Sequence, residues 1–137
     1  MPTIEEQVLE ANQRFYDAIE RFDFDAMESC WEPSGRTACV HPGGEWLLGW
    51  ERINEAWTSI FQNTDYLEFR IENVRAEIED PVAWVTCTER VMSSTPGGRV
   101  EAEVAATNVF VLTSAGWRMV LHHASPVIRP GGAEADE

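Results

Sequence analysis

Gly116-Trp117-Arg118-Met119-Val120-Leu121-His122-His123-Ala124-Ser125-Pro126 reads as a closing β-strand that carries two adjacent histidines. The chain has three histidines, and the third, His41, ends an earlier apolar run in His41-Pro42-Gly43-Gly44. Imidazole is the side chain whose charge changes near neutral pH, so these three positions are the first places to look for chemistry. Neighbouring strand residues point to opposite faces, so one of the closing pair turns inward and the other outward. Alternation from Trp117 and Met119 puts His123 on their face.

Working back from that strand, the turns Ser114-Ala115-Gly116, Pro96-Gly97-Gly98 and Asp80-Pro81 separate apolar runs over residues 99–113, 82–93 and 67–78. In the first of these along the chain, Leu67, Phe69 and Ile71 alternate with charged residues, and Val74, Ala76 and Ile78 resume one residue out of phase. An extra residue near Asn73, forming a bulge, explains the slip. Before the strands the period is helical. Thr3 and Glu6 form a capping box ahead of Ile4, Val8, Ala11, Phe15, Ile19 and Phe22, one apolar face about five turns long. Asp23 caps a second, shorter helix with Ala26, Met27 and Trp31, which Pro33 stops. Residues 37–41 form a short strand, and a third helix from Trp50 to Phe61 has Ile53, Ala56, Trp57 and Ile60 inside. Helices first and four long strands after them predict an α+β fold, with the helices on one face of an antiparallel sheet.

Two of those strands are apolar on both sides. Trp84, Thr86, Thr88 and Arg90 oppose Val85, Cys87, Glu89 and Val91; Val104, Ala106, Asn108, Phe110 and Leu112 oppose Ala105, Thr107, Val109 and Val111. The helices cover one side. A second copy of the chain over Val85, Val91, Val109 and Val111 is the simplest cover for the other, which predicts a homodimer through the convex sheet face.

The chain is long enough for one domain with a real core, expected over residues 1–128, and residues 129–137 are expected to be a disordered acidic tail. Formal charge is −14, from 10 Lys+Arg against 24 Asp+Glu. So acidic a balance argues against sequence-independent nucleic-acid binding, which needs basic residues to displace counterions, and against docking on an anionic membrane. No apolar run resembles a signal peptide or a membrane span, so the cytoplasm is the expected location. Cys30, Cys39 and Cys87 are odd in number and dispersed, and read as buried thiols outside any disulfide. No metal is expected. His122 and His123 diverge, and Cys39 with His41 shares a face but brings no carboxylate at motif spacing. Ser125 lacks the setting of a hydrolase nucleophile, no phosphate loop follows a strand, and no cofactor is called for. Six tryptophans suit a packed core, an aromatic pocket or an interface.

Element order and the closing Gly-Trp-Arg-Met-Val-x-His-His-Ala-Ser-Pro segment resemble the nuclear transport factor 2-like superfamily, in its SnoaL-like branch, from Glu5 to Pro126. The resemblance implies a cone: three N-terminal helices packed on a strongly bent antiparallel sheet, with an apolar pocket at its mouth. Its relatives include ketosteroid isomerases and the calcium/calmodulin-dependent kinase II association domain. Ketosteroid isomerases use a helix tyrosine, a base aspartate and a protonated aspartate there. Those positions fall on Phe15 of Gln13-Arg14-Phe15, on His41 and on Asn108, so none of the three residue types is kept. The association domain's pocket arginines fall on Thr86 and Asn108, neither of them basic.

The resemblance thus implies a small-molecule pocket protein, with isomerase, cyclase or lyase chemistry on an apolar substrate. In it His41 would be general base and Asn108 hydrogen-bond donor. Phe15, Tyr16, Trp46, Trp84, Thr86 and His123 are the expected pocket lining. The alternative is a non-catalytic assembly or ligand-binding module.

Overall fold

Thr3 starts the first helix as the sequence predicts. Its hydroxyl accepts from the Glu6 N–H at 3.1 Å, and the Glu6 carboxylate accepts from the Thr3 N–H at 2.9 Å. The computed structural model describes residues 1–130, so most of the expected acidic tail lies outside the described residues. Helix α1 (Ile4–Glu20) buries Val8, Ala11, Asn12, Phe15, Tyr16, Ala18 and Ile19. Asp23 caps α2 (Phe24–Cys30) through the Ala26 N–H, and Trp31 ends it. Strands β1 (Ala38–Val40) and β2 (Leu47–Leu48) precede α3 (Trp50–Asn63), which buries Ile53, Trp57 and Phe61. Gly49 caps α3 at φ +89°, a conformation suited to glycine. Four long strands complete the chain: β3 (Tyr66–Glu79), β4 (Val82–Thr95), β5 (Gly98–Thr113) and β6 (Gly116–Pro126).

One six-stranded sheet runs β2-β1-β6-β5-β4-β3. It is mixed, whereas the sequence predicts an antiparallel one. β1 pairs with β6 in parallel, because the chain leaving α2 at Trp31 already bridges Met119 in that direction. The remaining pairs are antiparallel. The predicted bulge is present: the β3–β4 register shifts between Glu72 and Arg75, with Asn73 at φ +55°. A second bulge lies in β6. Phe110 pairs with Met119 and Val109 with Leu121, which leaves Val120 without a partner.

Cross-strand partners share a face, and the register therefore fixes the two sides of the sheet. Val85 pairs with Asn108, Cys87 with Ala106 and Glu89 with Val104. These residues are buried beneath α1, with Phe110, Ala83 and Ala124. Trp84 pairs with Val109 and Val82 with Val111, on the convex side. Two residues expected to need a partner's cover are thus placed otherwise: Val85 is fully buried and Val91 half-buried on the helix side. The core joins both layers through Phe15, Trp31, Trp57, Phe110 and Met119.

Candidate functional site

Concave-face positions of β4, β5 and β6 carry Glu89, Asn108 and His122, three of the five buried polar residues among those described. Buried polar groups must find partners in the protein, and these do. The Tyr16 hydroxyl donates to Glu89 Oε2 at 2.6 Å. Asn108 Nδ2 donates to Asn12 Oδ1 at 2.8 Å and to the Tyr16 hydroxyl at 3.2 Å. With both amide hydrogens given, Asn108 Oδ1 is the acceptor for His122 Nδ1, 2.6 Å away. That bond fixes the neutral tautomer of His122: the proton sits on Nδ1 and Nε2 keeps its lone pair. No hydrogen bond to Nε2 is present among the described residues.

His41 follows β1 on the same side as Cys39. Its Nε2 is 3.7 Å from Cys39 Sγ, its ring stands edge-on to Trp57 at 4.7 Å, and its centroid is 6.2 Å from that of His122. It is half-buried where His122 is buried. The indole Nε1 of Trp57 is buried and has no hydrogen-bond partner among the described residues.

Loss of water sets the charge states here. Burial alone pushes His41 down to about 4. Burial, with His41 and His123 adding to it, pushes His122 down to about 3. Burial raises Glu89 to about 7, against a smaller downward pull from the Tyr16 hydroxyl. It also raises the Cys39 thiol to about 12 and moves Tyr16 far above its ordinary range. The interior at neutral pH thus holds two neutral imidazoles, a protonated phenol and a carboxyl near its midpoint. Among the described residues no group of three His, Cys, Asp or Glu is arranged to hold a metal.

The sequence-predicted residues divide into two sets. His41, Asn108, Phe15 and Tyr16 are brought together: Phe15 packs 4.8 Å from His122 and 5.7 Å from Trp57. Trp84 and Thr86 turn the other way, because the register pairs Asn108 with Val85. His123 is exposed on the convex side, paired with Thr107. The Val120 bulge adds one residue between Met119 and the doublet and so reverses the predicted parity, making His122 the inner imidazole. Trp46 stacks edge-on against His123 at 5.3 Å and is 55 % exposed, away from the interior.

Two inner residues had another reading. Glu89 appeared to belong to the convex face. The helix tyrosine appeared replaced by Phe15, yet Tyr16, one residue on, places a hydroxyl beside Asn108. The spacing of Asn12 and Tyr16, four apart on α1, was the available signal.

The SnoaL-like domain family model matches residues 8–129. The chain belongs to the SnoaL-like family. A solved structure from Streptomyces avermitilis, described as a proposed dehydratase of the NTF2-like family, is 38% identical, covering 92% of this chain and 97% of that one, with a TM-score of 0.87. A calcium/calmodulin-dependent protein kinase type II association domain, so described provisionally, from Thiobacillus denitrificans is 30% identical over 86% and 93%, with a TM-score of 0.75. Among curated proteins, the F-box protein SKIP8 of Arabidopsis thaliana is 28% identical over 121 residues, 88% of this chain. The SnoaL-like chain spans about half the length of that relative (50%). The fold is the NTF2-like cone.

Proposed function

We propose that this SnoaL-like protein is an acid–base enzyme of the isomerase or lyase type, acting on a small, mostly apolar molecule at the end of the cone where His41 sits. The observation that carries the reading is a neutral, half-buried imidazole beside a buried indole N–H that has no acceptor among the described residues. His41 takes a proton from the carbon next to a carbonyl. The carbonyl oxygen gains charge and meets the Trp57 N–H. His41 then returns the proton to another carbon, giving an isomer, or hands it to a β-hydroxyl, which leaves as water as the enolate collapses to the conjugated enone. Asn108, whose amide hydrogens go to Asn12 and Tyr16, does not supply the donor in this scheme. It is a positioning residue that holds the His122 ring and its tautomer. The chain has no lysine, so the carbonyl is activated by hydrogen bonding rather than as an imine.

The test is a panel of β,γ-unsaturated and β-hydroxy ketones followed by growth of conjugated-enone absorbance. His41→Ala should abolish the turnover found and leave Tm nearly unchanged; full activity in that variant would overturn the assignment.

We also propose that the protein is a cytoplasmic homodimer through the convex sheet face. Support comes from the apolar side chains there, Val82, Val109, Val111, Leu121 and a Trp84 that is 38 % exposed. The relation to association-domain proteins adds to it. Three buried free cysteines suit a reducing compartment, and among the described residues no helix is long and apolar enough to cross a membrane. Sedimentation at micromolar concentration should give about twice the chain mass.

A further inference from the structure

The proposed reaction leaves Glu89 without a task. It stands on the concave face of β4, 3 % exposed, and no cationic side chain pairs with it among the described residues. Its Oε2 accepts from Tyr16, while Oε1 has no hydrogen bond there. A buried carboxylate with neither cation nor full hydrogen bonding is costly: it takes up a proton more readily, as the rise to about 7 shows, or it is completed by a partner from outside. The cone itself cannot complete it. All ten basic residues of the chain are arginines, none of them is buried among the described residues, and both inner histidines are neutral.

Two further features bear on what would complete it. The Tyr16 ring whose hydroxyl holds Glu89 packs 5.5 Å from Phe69, so two rings with π-faces lie on that side of the cone. Such faces attract cations. Across the sheet from Glu89 toward His41, the floor is made of small side chains: Cys87 pairs with Ala106, and Ala106 with Ala124. All three are buried on the concave side.

We infer that the cone is selective for a ligand carrying a protonated amine, which Glu89 receives at Oε1, and that it rejects carboxylates. This rests on the reading of the cone as a small-molecule pocket and names the class of molecule it takes. The ammonium supplies the missing hydrogen bond and counter-charge, with the Tyr16 and Phe69 rings beside it. A carboxylate would meet Glu89 with no basic group in reach to offset the repulsion.

The experiment uses three probes of one shape: benzylammonium, benzyl alcohol and benzoate, titrated at pH 8 into the 15N-labelled full chain. Amide shifts of residues 85–89 and 104–108 report binding in the cone. Benzylammonium should bind more tightly than either other probe by about 10- to 100-fold, the worth of one hydrogen bond to a charged group. Glu89→Gln keeps the shape and an acceptor for Tyr16, and should bring benzylammonium down to the alcohol's affinity. Benzoate or benzyl alcohol binding as well as benzylammonium overturns the inference while leaving the pocket reading in place. Absence of cone shifts with all three overturns both. The wild-type comparison decides the matter even where Glu89→Gln fails to fold.

Discussion

Asn108 ties three elements together with one amide, and its removal should be expensive. Asn108→Leu keeps the volume approximately and deletes the polar atoms. Three bonds go: to Asn12, to the Tyr16 hydroxyl and from His122. Tyr16 keeps Glu89 as acceptor, so its loss is the ordinary net value of a hydrogen bond, about 1 kcal/mol. Asn12 Oδ1 and the His122 N–H are worse off. Both are on buried residues, and each is left at about 1–3 kcal/mol of unrecovered desolvation. Added leucine packing returns part of this, so the expected loss is about 2–5 kcal/mol. Urea unfolding followed by tryptophan fluorescence and far-UV circular dichroism measures it, with an unchanged slope showing that stability alone moved. A double variant with His122→Leu should lose less than the sum of the two single changes, because the pair shares one bond. A single-variant loss under about 0.5 kcal/mol, or strict additivity with His122→Leu, would refute the network as described.

Acid should weaken the fold from an unusual window. In the unfolded chain His41 and His122 take up protons near 6.5, while folded they resist to about 4 and about 3. Their contribution is present above 6.5 and is lost as pH falls below it. Glu89 has the opposite sign: folded it holds a proton up to about 7, unfolded only to about 4.5, so its contribution is lost as pH rises. Between those unfolded values the unfolded chain binds a net one extra proton, and urea midpoints should report about 1.4 kcal/mol lost per pH unit on acidification. Glu89→Gln should about double that slope, and an unchanged slope would refute the assignment. Gly49→Ala should cost about 1–3 kcal/mol in the same unfolding assay, because φ +89° with ψ 149° strains any side chain; a neutral result would mean that the α3 entry relaxes. Trp84→Glu should leave a folded monomer by sedimentation, and a dimer surviving at micromolar concentration would place the interface elsewhere.

Much of the fold was legible because its signals are local. The capping box of α1, the Asp23 cap and the slip at Asn73 each show in a few neighbouring residues. What stayed hidden depends on register, a relation between distant segments. Val120, Leu121 and their neighbours are apolar in either parity, so nothing local marks the β6 bulge, and His122 and His123 exchange faces with it. The two faces of β4 are likewise both rich in apolar residues, and only pairing with Asn108 shows that Val85, Cys87 and Glu89 lie inside. Glu89 was the harder case, since a charged residue is ordinarily read as facing water. At the site, His41 and Asn108 could be picked out as polar residues on otherwise apolar segments. The links from Asn108 to Asn12 and Tyr16 span more than ninety residues and leave no trace in either segment alone.

The unpaired Val120 has a consequence of its own. Deleting it would let Met119 and Leu121 become ordinary neighbours along the ribbon. Met119 would still turn inward, Leu121 outward and His122 inward. The same imidazole would face Asn108, now on a straighter strand. The extra residue therefore contributes bend rather than chemistry, and a shortened chain would be expected to differ first in the width of its cone.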